Sequence, residues 1–342
     1  MPDLMRAAVV QNYGAPLALT ELPVPQPGAG QVLVRLAATG VCHTDLHAAR
    51  GDWPVRPSLP FVPGHEGVGH VAALGAGVHR LREGDRVGVP WLHSACGVCP
   101  HCRTGWETLC GTQRNTGYSV NGTFADYVLA NADFVAPLPD GLDWGPAAPV
   151  LCAGVTVFKG LKETEAQPGQ WVVVSGIGGL GHMAVQYARA MGMHVAAVDV
   201  HPDKLALARA LGADAVLDAA DRDAAAALLR TIGGGAHGAL VTAVSPAAIE
   251  TAFGLLRPHG TMALVGLPPG RFCLPIFETV LKRITVRGSI VGTRQDLDEA
   301  LAFAAEGRVA ARFSWAGLDD INDVFRRLDE ASVDGRVVLR LT

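Results

Sequence analysis

Residues 171–190, Trp171-Val-Val-Val-Ser-Gly176-Ile177-Gly178-Gly179-Leu180-Gly181-His-Met-Ala-Val-Gln-Tyr-Ala-Arg-Ala190, decide how this chain folds. The first five residues form an apolar run of strand length, and from Met183 to Met191 the apolar positions recur at helical spacing. Glycines 176, 178 and 181 separate the two in the pattern G-x-G-x-x-G, with Gly179 between them. Glycine there permits a tight turn from strand to helix and a close approach of ligand to backbone. The uncharged stretch from Trp171 to Ala188 has the length of a membrane span, but Gly176, Gly178, Gly179, Gly181 and His182 interrupt it. A strand turning into a helix is the better reading.

Downstream the same alternation continues. Strand candidates His194–Asp199, Ala215–Leu217, Ala239–Val244 and Thr261–Val265 alternate with helices around Pro202–Leu211, Ala224–Ile232 and Ala247–Leu256. Such a rhythm predicts an α/β, doubly wound parallel-sheet (Rossmann) domain. Upstream, short segments such as Gln31–Ala37 and Gly67–Ala73 lie between Pro and Gly turns, which predicts a β-rich domain. Beyond Gly292, helices around Leu297–Glu306 and Ile321–Leu328 precede a last strand, Arg336–Leu341.

The glycine turn opens a helix whose first N–H groups and positive dipole end suit a pyrophosphate. Asp199 ends the next strand candidate eighteen residues past Gly181, near the ~20 expected for an acid that hydrogen-bonds the adenosine ribose. A 2′-phosphate would meet like charge there, so NAD is favoured over NADP.

Composition narrows the class of protein. At 342 residues with 49% hydrophobic and 18% charged residues, the chain has material for two domains and a large core. Its net charge of −4, without a long run of either sign, points away from nucleic acid. The start, Met1-Pro-Asp-Leu-Met-Arg6, lacks the basic stretch and apolar core of a secretory signal, so a cytoplasmic protein is expected. Seven cysteines cannot all pair within one chain and are not expected to be oxidised in that compartment, which makes metal binding the leading use.

Cys96, Cys99, Cys102 and Cys110 follow C-x2-C-x2-C-x7-C, a spacing that lets four thiolates converge on one ion. The bacterial iron–sulfur run has a closer fourth Cys followed by Pro, whereas Cys110 precedes Gly111. A closed tetrahedral zinc site that braces a loop is the better reading, with His101 facing solvent. Three further segments carry ligand types: Cys42-His43-Thr44-Asp45, Gly64-His65-Glu66 and Leu151-Cys152-Ala153. Each is a weak signal alone, since single buried Cys and His residues mostly pack.

Together, Gly-Val-Cys42-His-Thr-Asp-Leu-His47, Pro-Gly-His65-Glu66-Gly, the four-cysteine loop and the Gly176 fingerprint resemble, in their order, the medium-chain zinc alcohol dehydrogenases, nearest the bacterial enzymes that prefer short primary alcohols. The resemblance runs nearly end to end. It implies a zinc-binding catalytic domain at 1–152, rejoined by 293–342, and a dinucleotide-binding domain at 153–292. It further implies that Cys42, His65 and Cys152 hold a catalytic zinc with Glu66 as an occasional fourth ligand, a second zinc being structural, and that Asp45 supports His65.

Lys204 is implied near the ribose, His43 and Arg336 near the pyrophosphate, and Val265 beside the nicotinamide. The implied reaction interconverts primary alcohols and aldehydes by hydride transfer to and from NAD, with Thr44 and His47 carrying the alcohol proton. Trp53 and Trp91 are expected to narrow the substrate pocket, and a homotetramer is expected from the resemblance alone. A polyol, aminoalcohol or aromatic-alcohol dehydrogenase on the same scaffold is the nearest rival, and a redox-silent regulator a more distant one.

Overall fold

A computed structural model describes residues 2–221 and 223–341. The chain divides into two compact units, one made of Met1–Cys152, Thr293–Ala305 and Arg312–Thr342, the other of Ala153–Gly292 and Glu306–Ala311. Among the described residues no helix is long and apolar enough to cross a membrane.

The first unit is built on a seven-stranded sheet whose centre is the long strand Gln31–Val41. It pairs antiparallel with Gly67–Leu74, with Tyr127–Asn131 and with Arg336–Arg340 from the end of the chain. Val32, Leu33, Val34 and Leu36 are fully buried, so the strand is covered on both faces and forms the middle of the core. The pairings also bring three distant sequence segments to one place. Thr39 stands opposite Gly67 and Val337 opposite Val41, so His65, Glu66 and Arg336 arrive beside Gly40 and Cys42. Cys42 then leads directly into the helix His43–Arg50.

The second unit holds a six-stranded, all-parallel sheet. From edge to edge its strands are Ala215–Asp218, His194–Asp199, Trp171–Ser175, Ala236–Val241, Leu256–Leu264 and Thr285–Gly288. The third strand in sequence lies at one edge and the sixth at the other, the doubly wound order, and the direction of winding reverses between Trp171–Ser175 and Ala236–Val241. Val172, Val173 and Val174 have no exposed surface, as continuous apolar runs require in a sheet covered by helices on both faces.

Several strand bounds differ from expectation, among them those of Gln31–Ala37, which runs on to Val41, and of Ala239–Val244, which begins at Ala236. The strand expected over Ala239–Val244 ends at Val241, because the N–H groups of Thr242 and Ala243 turn aside to donate to Ser175 O at 2.9 and 3.0 Å. Their departure builds a wall against the glycine turn: the Thr242 hydroxyl donates to Gly176 O at 2.7 Å. The strand expected over Thr261–Val265 starts earlier, at Leu256, and the outermost strand Thr285–Gly288 has no alternating or strongly apolar pattern to mark it.

Gly176 turns the chain at φ 91°, a left-handed conformation that favours glycine. Gly181 starts the helix Gly181–Ala190 so close to the turn that a Cβ there would lie 1.8 Å from Gly176 O. We therefore expect Gly181→Ala to destabilise the protein by about 2 kcal/mol or more, through forced separation of strand and helix. Denaturant unfolding monitored by circular dichroism checks this, and an unchanged midpoint would contradict the packing described.

Candidate active site

The centre of the site is a buried carboxylate. Asp45, in the first turn of His43–Arg50, accepts the Cys42 N–H on Oδ2 at 2.9 Å and the Gly64 N–H on Oδ1 at 3.1 Å. Its Oδ1 also lies 2.8 Å from His65 Nδ1. A carboxylate only accepts, so Nδ1 carries a proton, and in the neutral imidazole Nε2 is the nitrogen that offers its lone pair. Nε2 faces Cys152 Sγ at 3.3 Å, and Cys152 Sγ lies 4.0 Å from Cys42 Sγ.

Cys152 reaches this point from a π-helical turn, Val150–Gly154, that follows the short helix Trp144–Pro149. Single π turns of this kind re-aim side chains at functional sites. Glu66 completes the group: one donor atom from each of Cys42, His65, Glu66 and Cys152 lies within 4.8 Å of the others, and all four residues are buried. Glu66 Oε1 pairs with the Arg336 guanidinium, while its Oε2 has no partner among the described residues. Gly40 makes room for this carboxylate, since a Cβ there would stand 1.9 Å from Oε2.

The electrostatics fit a cation. The hydrogen bond from Cys152 holds the Cys42 thiol well below its usual range against the cost of burial, and the same contact, with burial, pushes Cys152 up. Burial drives Glu66 up to about 8, although Arg336 opposes it. Burial disfavours a charged His65, yet the Asp45 carboxylate overrides it and holds His65 well above 6.5. Two soft sulfurs, an oriented imidazole and an unpartnered carboxylate oxygen make a donor set that could hold a zinc ion. Binding a metal here displaces protons, so affinity falls as pH falls.

Around this group stand aromatic rings. Trp91 meets His65 edge-on at 5.2 Å, Tyr118 lies between Trp91 and Trp53 at 5.6 and 5.8 Å, and Trp53 stacks on His47. Thr44 and His47 are half-buried on the same helix as Asp45, whereas His43 is exposed. Tyr118 escaped the sequence reading because a tyrosine in a turn carries no spacing signal; its hydroxyl donates to Val55 O.

The second group is Cys96, Cys99, Cys102 and Cys110, again with donor atoms within 4.8 Å of one another. Backbone N–H groups point at the sulfurs: Cys99 N at Cys96 Sγ, Cys102 N at Cys99 Sγ and Cys96 N at Cys110 Sγ, at 3.3–3.5 Å. Such donors stabilise thiolates. His101 is exposed, outside the group. The lobe is tied down by buried Glu107, whose carboxylate takes Nε and a terminal nitrogen of Arg294 at 2.8–3.1 Å and its backbone N–H at 2.9 Å. Nothing local in the sequence announced that clamp.

In the second unit the glycine turn and Asp199 are joined directly. Asp199 Oδ2 accepts the Ile177 N–H at 2.7 Å, and Oδ1 accepts those of Val200 and His201 at 2.8 and 3.0 Å. A Cβ on Gly178 would meet nothing within 4 Å, so the turn presents bare backbone. Gly179 and Leu180 are half-buried at the helix start, Lys204 lies in the first turn of Pro202–Ala210, and Val265 follows the strand Leu256–Leu264.

Two family descriptions match the chain: an alcohol dehydrogenase GroES-like domain over residues 28–140 and a zinc-binding dehydrogenase domain over residues 179–306. The class defined by fold and site is thus a zinc-binding dehydrogenase. An alcohol dehydrogenase of Rhizobium meliloti is 71% identical over 98% of this chain and 99% of its own length. The crystal structure of the alcohol dehydrogenase from the archaeon Aeropyrum pernix superposes with a TM-score of 0.88 at 35% identity, covering 98% of this chain and 99% of that one. An acetophenone reductase from Geotrichum candidum in complex with NAD gives 0.88 at 29%, covering 99% and 98%. The chain belongs to the zinc-dependent medium-chain alcohol dehydrogenase family and is an alcohol oxidoreductase.

Removing the carboxylate that orients His65 and anchors both ligand segments has a defined expected cost. Asp45→Ala lowers zinc affinity at the Cys42–His65–Cys152 group by roughly 10–100-fold, read by competition of the intact protein against a chelator. Unchanged retention of zinc would show that Asp45 does not organise the site.

Proposed function

We propose that this chain interconverts short primary alcohols and aldehydes with NAD, using one zinc at Cys42, His65 and Cys152, with Glu66 as an occasional ligand, and a second at the four-cysteine lobe. The observation that carries the reading is the Asp45-oriented group of two sulfurs, one imidazole and one free carboxylate oxygen beside Thr44 and His47. When bound, zinc supplies Lewis-acid polarisation of the substrate oxygen and NAD supplies the hydride acceptor. The residues of the first unit are the metal-binding catalytic part, and those of the second bind the dinucleotide.

The protein's own work is orientation and proton movement. Thr44, two residues past Cys42, offers a hydroxyl that can accept the alcohol proton while giving up its own, and half-buried His47, one turn further on the helix, takes up the proton that leaves the site and passes it to solvent. The four sulfurs at Cys96, Cys99, Cys102 and Cys110 fill a tetrahedral shell by themselves, so that lobe braces and does not react. Backbone N–H groups of Gly178, Gly179, Leu180 and Gly181 face pyrophosphate in this reading. Val265 lies against the nicotinamide and Lys204 near the ribose.

Seven cysteines with no disulfide among the described residues support a cytoplasmic setting. A homotetramer is supported by the helix Ile276–Leu281, where Ile276, Phe277, Val280 and Leu281 are 67–81% exposed, next to an open sheet edge at Thr285–Gly288.

Trp53 and Trp91 set the alcohol preference in this reading, with Trp91 against a metal ligand. NADH absorbance over an alcohol panel tests it: ethanol and propanol are expected to exceed branched secondary alcohols by roughly tenfold in kcat/KM, with Trp91→Ala narrowing the gap. Faster turnover of bulky secondary alcohols by the unmodified chain would refute the pocket assignment.

Cofactor choice is tested separately. Asp199 Oδ2, which accepts only the Ile177 N–H, keeps a second lone pair for a ribose hydroxyl, and the carboxylate charge repels a 2′-phosphate. Asp199→Gly should raise KM for NAD and bring the NAD and NADP efficiencies closer together; equal efficiencies in the unmodified chain would show that Asp199 does not discriminate.

A further inference from the structure

The helix His43–Arg50 stops one turn after His47, at Gly51, whose φ of 67° lies in the left-handed region. The Gly51 N–H donates to Ala48 O at 3.2 Å and the Asp52 N–H to His47 O at 3.3 Å, the paired bonds of a Schellman ending. A Cβ at residue 51 would also stand 2.9 Å from the Tyr13 ring, so this reversal depends on glycine twice over. The reversal folds the next two residues back along the helix. Asp52 Oδ2 comes to 3.0 Å from His47 Nδ1, and the Trp53 ring stacks on the imidazole with centroids 5.7 Å apart and planes 26° from parallel.

His47 is thereby held at one nitrogen by a carboxylate and on one face by an indole, while Nε2 has no partner among the described residues. The other charged groups nearby are His43 one turn earlier, and Arg50, which is paired with Asp329 at 2.8 Å. Asp329 in turn lies within electrostatic reach of His43 and His47. Asp52 alone of these touches the ring.

We propose that Asp52 is a positioning residue for proton transfer: by accepting the Nδ1–H it fixes His47 in the tautomer whose Nε2 takes up the proton released in alcohol oxidation and returns it in aldehyde reduction. The inference rests on the relay reading of His47 given above. The balance is simple. Neutral His47 gains one proton at Nε2 and becomes an imidazolium with Nδ1–H still bonded to Asp52; it then gives that proton to solvent, which its side chain reaches at 37% exposure. Asp52 takes no proton itself. A histidine oriented by a carboxylate at its far nitrogen is a general device for this purpose.

The test uses the zinc-loaded full chain with His47→Gln, Asp52→Ala, Asp52→Asn and the double variant His47→Gln/Asp52→Ala. Under conditions where proton release limits turnover, Asp52→Ala should slow alcohol oxidation roughly 3–10-fold, less than the 10²–10⁴-fold typical of losing a general acid–base outright, with KM for NAD little changed. Added imidazole buffer should restore much of that loss. Asp52→Asn, whose amide can donate to Nδ1 and so favour the tautomer with Nε2 already protonated, should slow oxidation at least as much as Asp52→Ala, and Asp52→Ala should cost nothing further in the His47→Gln background.

Nitrogen-15 NMR gives a readout independent of turnover: His47 should carry its proton on Nδ1 in the parent and mix tautomers in Asp52→Ala. If Asp52→Ala slows the parent and His47→Gln equally, or leaves the tautomer unchanged, Asp52 does not act through His47 and the proposal falls while the relay stands. If His47→Gln alone leaves the rate unchanged, the relay reading falls and this proposal with it.

Discussion

One buried carboxylate organises the first unit's chemistry. Asp45 is 1% exposed and would be costly to bury alone, but it gathers three N–H groups, from Cys42, Gly64 and His65. Two of those donors belong to the backbone on either side of the site, and the third is the imidazole. The same charge therefore fastens the end of the central strand to the loop before Gly67 and turns the Nε2 of His65 towards Cys152. Structure and chemistry share one group here, so the site's geometry is as well determined as the core around it.

The rest of the fold serves that arrangement through strand ends. The strand Gln31–Val41 delivers Cys42, its neighbour delivers His65 and Glu66, and the last strand of the chain delivers Arg336, which is 270 residues from its partner Glu66. Without Arg336, the buried Glu66 carboxylate would lose its one ion-pair partner among the described residues. Without the glycine at position 40 it would not fit at all. In the second unit the equivalent group is Asp199, which closes the glycine turn through the Ile177 N–H while keeping one lone pair of Oδ2 free.

Much of this was legible in the sequence, and the reason differs by residue. Gly176, Gly178, Gly181 and Asp199 announce themselves because a phosphate-binding turn imposes spacing along the chain, and the four lobe cysteines because one ion must be reached from one short loop. Cys42, His65 and Cys152 had no such spacing and emerged only from family resemblance. Asp45 could be inferred from what a ligating imidazole needs, but not its bonds to Cys42 and Gly64. Tyr118, Asp52 and the Glu107–Arg294 clamp were invisible, because each owes its role to a contact made by folding: a ring slotted between two indoles, a carboxylate carried back by a helix ending, and an ion pair between residues 187 positions apart. Val244 was read as strand for the opposite reason. Its apolar character fitted a ladder that the chain leaves at Val241 to wall off the glycine turn.

Two donor sets of different character stand on one chain, one of four sulfurs and one around an Asp45-oriented imidazole. Zinc content combined with X-ray absorption of the intact protein tests this most directly. Two zinc ions per chain are expected, with mean coordination of three sulfurs and half a nitrogen per zinc from the protein, and selective loss of half the metal and of turnover when Cys152 is replaced by serine. A fully active chain holding a single zinc, or a spectrum with sulfur ligands alone, would contradict it.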